Sequence, residues 1–319
     1  MDRERPHLGT VQETLLIPLY AHAVENRKEQ ALLRDTRAEE IVASIDYDFA
    51  RFDELPSLTG TLLRTRLFDR WVTEFLSVHP GGTVVEIGTG LNTRYERVDN
   101  GRARWFDLDL PDVIELREKF FTDSRRRTMI AASVTDDGWA ADVASHSSGP
   151  YLFVAEAALP YMHETRRTPG LRLPGERFPG SLQALDIAGP GFFDTQDQHD
   201  ALSKVAARMR WYCSDPAHLA GRRPGTEVVS SHTLMSLPDA LISELPLPYQ
   251  QMIAALAAQR LPQAEGYRLS LLRLRRLRGP VRPTAGPRPH TGGEDCAQPP
   301  SPNPPRSTRR RHAQPPLKH

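Results

Sequence analysis

The chain has 319 residues, 39% of them hydrophobic and 25% charged, with a formal net charge of +1, a balance that fits one large or two small globular domains. No stretch approaches the roughly 18 apolar residues of a membrane helix, the charged start MDRERPHLGT lacks the apolar core of a secretory signal, and Cys213 and Cys296 offer neither a disulfide framework nor a zinc site. A soluble, cytoplasmic protein with no membrane partner is therefore expected.

Residues 10–80 read as helices. Val11, Leu15, Leu16, Leu19 and Tyr20 form a helical stripe from Thr10 to Val24, with Pro18 expected to bend or end it. Ala38 to Ile45 is a second candidate, and Leu58 to Val78, with Leu62, Leu63, Phe68, Trp71, Val72, Phe75 and Leu76, is a third. Such helices ahead of a first strand predict a cap, residues 1–80, over the carboxyl edge of a sheet.

The most informative stretch runs from Thr83 to Phe121. Val84, Val85 and Ile87, bounded by Pro80, Gly81 and Gly82, read as a buried parallel strand. The chain then turns on Gly88 and Gly90, where the missing Cβ permits positive φ and close approach of a ligand. A second strand, Ala103 to Leu108, leads to Asp109, whose spacing from the glycines, about 20 residues, is that of an acid receiving two ribose hydroxyls. Pro111 suits the first turn of the following helix. Either a dinucleotide or an adenosine ligand fits this unit. A threonine, Thr93, in place of a third glycine weakens the dinucleotide reading, and Glu86 at the strand's end suits a polar or cationic ligand group rather than a pyrophosphate.

Further strands are expected at Thr128 to Val134, Tyr151 to Glu156, Leu182 to Ile187, Val228 to Ser230 and Gly266 to Leu274. Between Glu164 and Gly180, Pro169, Gly170, Pro174 and Gly175 argue against a regular helix. The segment 279–319 holds 11 of the 28 prolines and almost no large apolar residue, so a disordered tail is expected. Without its seven Lys+Arg and two Asp+Glu, the body has 34 basic against 38 acidic residues, which argues against a nucleic-acid partner.

The run VVEIGTGLNTRYERVDNGRARWFDLDLPDVIELREKFF, with RTMIAASVTDDGW and PYLFVAEAALPYM after it, resembles the leucine carboxyl methyltransferase family, and within it a branch of polyketide O-methyltransferases. The resemblance extends from about Thr10 to about Leu277. It implies an α/β, Rossmann-like fold with a seven-stranded, mostly parallel sheet, helices on both faces, S-adenosyl-L-methionine as cofactor, and a small-molecule acceptor methylated on a hydroxyl or carboxyl oxygen. The domain would occupy residues 81–278 and include an acceptor lid at His199–Leu202 and Arg210–Pro216.

Carried onto matching positions, the resemblance makes Arg64 the arginine that holds the cofactor carboxylate, a role suited to a bidentate guanidinium, with Arg66 a surface cation. It joins Glu86, Gly88, Gly90, Asp109, Ser133, Val134 and Glu156 to the cofactor set, Ser133 facing the adenine amino group. His22 replaces a family cation, and Ala157 stands where the family's Glu-Gly-x-Leu motif has glycine. Glu156, His199 and Tyr161 are the catalytic candidates, His163 a further possible base; no metal cluster is present. A nicotinamide-dependent oxidoreductase and a catalytically silent binding protein remain as alternatives, and the oligomeric state is not legible.

Overall fold

Alternation along the strands decides which core each side chain joins. The computed structural model describes residues 3–222, 225–259 and 262–275, so the expected tail at 279–319 and Cys296 lie outside the described residues. In β1 (Thr83–Ile87), Val84 packs with Trp105, Leu152 and Val154 on one face of the sheet, while Val85 and Ile87 pack with Phe106, Leu108, Phe153 and Ala155 on the other. The first face is covered by α1 (Leu16–Asn26), α2 (Thr36–Ser44) and α3 (Ser57–Val78), which contribute Leu16, Ile41, Leu62, Phe68 and Trp71 to a shared core. Pro18 neither bends nor ends α1, because it sits in the first turn, where its absent N–H costs nothing. A 3-10 turn, Gln12–Leu15, precedes it.

The chain continues through α4 (Arg94–Val98), β2 (Arg104–Asp109), α5 (Pro111–Arg117), β3 (Arg127–Ala131), α6 (Gly138–His146), β4 (Tyr151–Ala155), α7 (Glu164–Arg177) and β5 (Leu182–Ala188) to β6 (Thr226–Thr233) and β7 (Tyr267–Leu274). Strand order is β3-β2-β1-β4-β5-β7-β6, with β7 antiparallel to both β5 and β6 and the other pairs parallel. The order reverses between β1 and β4, and the crevice at the carboxyl ends of these strands is where an open α/β sheet takes its ligand.

Two expectations need correction. The third strand stops at Ala131, leaving Ser133 and Val134 in the loop beyond it. More notably, Glu164–Arg177 is helical despite its prolines and glycines. Leu173 and, just past the helix, Phe178 are buried in the second core, Phe178 against Trp139 and Phe153. That tertiary burial outweighs the local propensity, and the Phe178 amide closes the helix on the Pro174 carbonyl at 2.8 Å.

Candidate functional site

A cavity of about 1210 Å³ opens over the carboxyl ends of β1, β2 and β4. One end is built by the turn after β1. Gly88 (φ 68°) and Gly90 (φ 52°) both lie in the left-handed region, and a Cβ on Gly88 would stand 2.6 Å from the Ala158 Cβ. The Gly90 amide donates to Asp109 Oδ2 at 2.7 Å, the Leu110 amide donates to Oδ1 at 2.8 Å, and Arg117 Nη1 donates to the Gly90 carbonyl at 2.8 Å. Glycine turn and acid are thereby locked together.

Asp109 is on the cavity wall, whereas Asp107 is buried behind it, bonded to Arg127 Nε at 2.6 Å and Thr89 Oγ1 at 3.1 Å and paired with Arg117. Their titration follows these surroundings. Burial pushes Asp109 up to about 6 against the pull of its two amides. Burial also opposes ionisation of Asp107, but Arg117 and Arg127 outweigh it and hold the carboxyl below its ordinary value. A cavity-facing carboxylate with acceptor capacity left fits a partner that brings hydroxyl donors, whose hydrogen bonds would favour its ionised form.

Next to this turn the structure assembles a charge cluster that the sequence does not announce. Arg94, fully buried, donates through Nε to Asp69 at 2.7 Å, through Nη1 to Glu86 at 2.8 Å and through Nη2 to Glu156. Glu86 is therefore turned to Arg94 and is absent from the cavity wall, contrary to its expected place among the cofactor residues; burial keeps its carboxyl above the ordinary range despite that arginine. Glu156 does reach the cavity, but its oxygens also accept from Arg64 Nε and Thr65 Oγ1, each at 2.8 Å. Burial would raise it, yet Arg94 and Arg64 bring it down to about 2. So saturated a carboxylate makes a poor proton acceptor, and Glu156 is corrected from candidate base to a fixed anion that orients its neighbours.

His22 is built into the same wall: Nδ1 lies 2.9 Å from Asp35 Oδ2 and Nε2 3.2 Å from Thr65 Oγ1, which connects it to Glu156 through one hydroxyl. Ala157 takes φ 54°, the conformation its expected glycine would adopt. Ser133 and Val134 line the cavity from the loop after β3.

Arg64 faces the cavity with its Nε on Glu156 and with its two terminal nitrogens making no hydrogen bond to described residues. Arg66, two residues on, pairs loosely with Glu244 at 3.5 Å. Arg64→Lys, which keeps the charge but loses the planar fork, is expected to weaken S-adenosylhomocysteine binding by about tenfold, on the scale of one charge-assisted hydrogen bond. Arg66→Lys is expected to change it less than about twofold, as for an exposed ion pair. Calorimetry on both variants checks the pair, and equal losses would remove Arg64 from the site.

Pro18, Met162, Phe192, Met235 and Met252 add apolar side chains to the wall that holds His199 and Tyr161, the Phe192 ring lying 5.3 Å from that of His199, while Leu15 lies against Gly90. The expected lid is fastened there by the Ser57 amide on Asp200 Oδ2 at 3.0 Å and the Arg210 amide on the Pro160 carbonyl at 2.8 Å. His199 turns Nδ1 to the protein, 3.2 Å from Asp200 Oδ1 and 3.3 Å from the Leu202 amide, and burial lowers its pKa. Burial raises the Tyr161 phenol well above its ordinary value, so it stays protonated. His163 is an exposed member of the wall. The cofactor candidates other than Glu86 and the three catalytic candidates thus share one cavity, and no group able to hold a metal ion occurs among the described residues.

Thr65 in the wall, and Arg94 and Asp186 behind it beside Glu156 and Arg64, are the residues that sequence reasoning missed. A charged residue in the mostly apolar run LQALDIA, and an arginine four residues past Gly90, were the available signals.

Comparison with known proteins agrees with this geometry. The family described as Leucine carboxyl methyltransferase matches residues 16–171. The Tetracenomycin polyketide synthesis O-methyltransferase TcmP of Streptomyces glaucescens is 33% identical over 237 residues, spanning 74% of this chain and 87% of that protein. The S-adenosyl-L-methionine-dependent methyltransferase dpfgK of Gibberella zeae is 27% identical over 246 residues, spanning 70% and 83%. Among solved structures, a DUF574 family protein from Streptomyces avermitilis shares the fold, with a TM-score of 0.51 over 81% of this chain and 96% of that one at 17% identity.

Proposed function

The chain belongs to the leucine carboxyl methyltransferase family and is an S-adenosylmethionine-dependent methyltransferase; we propose that it methylates an oxygen, hydroxyl or carboxyl, of an apolar small molecule such as a polyketide. The observation that carries this reading is that one cavity is lined both by Gly88, Gly90 and Asp109 and by His199, Tyr161 and the apolar side chains of Pro18, Met162, Phe192 and Met252. When bound, the cofactor supplies an electrophilic methyl group on sulfonium sulfur. The protein's own part is to align the acceptor with that methyl and to keep water out.

Asp109 would accept the ribose hydroxyls, the Arg64 fork would take the cofactor carboxylate, and Ser133 and Val134 would flank the adenine. Tyr161 keeps its proton and would donate to an acceptor oxygen, while the apolar members of the wall, Pro18, Met162 and Met252 among them, shed water from the cavity. His199 is assigned the proton-acceptor role, with Asp200 Oδ1, 3.2 Å from its Nδ1, placed to favour the imidazolium.

A carboxylate acceptor needs no base, a phenol does. His199→Gln is therefore expected to lower kcat on phenolic acceptors by about 100-fold, the low end for loss of a general base, and to leave turnover of carboxylate acceptors nearly unchanged. A thermal-shift titration with S-adenosylhomocysteine, followed by mass spectrometry of products from a phenol and carboxylate panel, tests the reading. Products methylated only on nitrogen or carbon would overturn it.

A further inference from the structure

Asp186 has no place in the cavity wall, yet it is the most completely enclosed acid near the site. It sits near the end of β5 with no exposed surface, and its carboxylate points at the turn leaving β4. The Ala157 amide donates to both of its oxygens, at 3.0 and 2.9 Å, and Tyr267 Oη on β7 donates to Oδ2 at 2.7 Å. Arg64 Nε stands 3.7 Å away.

Ala157 is the residue held in the left-handed region, which disfavours any side chain with a Cβ. Something must offset that preference, and the carboxylate receiving its amide is the interaction positioned to do so. The consequences of the turn lie on either side. Glu156 is directed back onto Arg64, Thr65 and Arg94, and the Ala158 Cβ is pressed onto Gly88, where even a methyl group would collide. The turn after β4 and the glycine turn after β1 therefore interlock, and Asp186 fastens the pair to β5 and β7.

We propose that Asp186 is a positioning residue for the cofactor end of the cavity, acting through the backbone of Ala157 without touching the ligand. The proposal rests on the S-adenosylmethionine reading of that cavity. It predicts a specific dependence on what occupies position 157. Glycine adopts the same φ at no steric cost, so a chain with glycine there has less need of the carboxylate.

Four chains decide it: the wild type, Asp186→Asn, Ala157→Gly and the double variant, each measured for S-adenosylhomocysteine affinity by calorimetry and for melting temperature without ligand. Asp186→Asn is expected to weaken binding by about tenfold, the loss of one charge-assisted hydrogen bond expressed through the turn. In the Ala157→Gly background the same change is expected to cost less than about threefold, and Ala157→Gly alone to leave affinity within about twofold, as a coupled pair requires. Rescue of affinity without matching recovery of the melting temperature separates positioning from general stabilisation. Equal losses in both backgrounds, or a folded Asp186→Asn that binds like the wild type, would overturn the proposal.

Should Asp186→Asn fail to fold, amide exchange on the wild-type chain decides instead. Ala157 is expected to be protected by at least about 100-fold, and an unprotected amide overturns the assignment. Absence of S-adenosylhomocysteine binding by the wild type would defeat the cofactor reading alone, since the exchange measurement needs no ligand.

Discussion

Asp109→Ala is expected to weaken S-adenosylhomocysteine binding by about 2 to 4 kcal/mol, because two hydrogen bonds to a charged acceptor are lost at about 1.5 to 3 kcal/mol each and water recovers part of them. The empty protein should be destabilised only modestly, by the Gly90 and Leu110 amides that lose their acceptor. Asp109 is raised by burial to about 6 from an ordinary 3.8, so the folded chain binds this proton more tightly than the unfolded one, and stability from this group falls as pH rises from about 4 to about 6. The variant lacks that decline. Hydroxyl donors favour the ionised form, so wild-type affinity should improve as pH rises through about 6 and the variant's should not. Asp107→Ala is expected to behave oppositely, destabilising the fold by leaving Arg117 and Arg127 without their shared buried carboxylate while touching no ligand. Calorimetry and thermal melts on the two variants check the crossing, and a larger affinity loss at Asp107 would exchange their roles.

The second large effect lies in the charge cluster. Arg94→Leu leaves Glu86 buried without its cation and removes one partner each from Asp69 and Glu156, a change expected to cost about 3 to 5 kcal/mol in denaturant unfolding. Adding Glu86→Met should return part of that loss, since an apolar pair of similar volume dispenses with the stranded charge. Arg94 also governs acid stability. Glu156 is held at about 2 against an ordinary 4.5, so the stability it contributes is fully present above pH 4.5 and is lost as pH falls toward 2. With Arg94 gone, less of the depression remains and acid unfolding should begin at higher pH. An Arg94→Leu chain within about 1 kcal/mol of wild type would mean that the cluster is not held together as described.

The unit from β1 to α5 was readable because its contacts are local in sequence. Period-two alternation in Val84, Val85 and Ile87 and the two glycines of the turn each leave a mark in the letters, as does the acid that bonds Gly90 from 19 positions away. Even there, Glu86 misled: an acid at the end of an apolar strand looks the same whether it meets a ligand or an arginine. Arg94, eight residues later, decided which.

The rest of the site joins residues with no pattern between them. Arg64 and Thr65 meet Glu156 across 92 and 91 positions, and Tyr267 meets Asp186 across 81. The order in which strands pair sets these encounters, and only the assembled sheet reveals it. Helix α7 shows the same limit from the other side, since its prolines and glycines oppose a helix locally and the burial of Leu173 and Phe178 prevails. Strand, glycine turn and acid could be read from the letters alone, because short-range sterics and hydrophobic period act on neighbouring residues, and the family followed from the resemblance of those motifs. Tertiary structure alone decided which carboxylates are paired anions and which face the cavity, because burial and charge partners set by packing, not residue type, determine what an acid does.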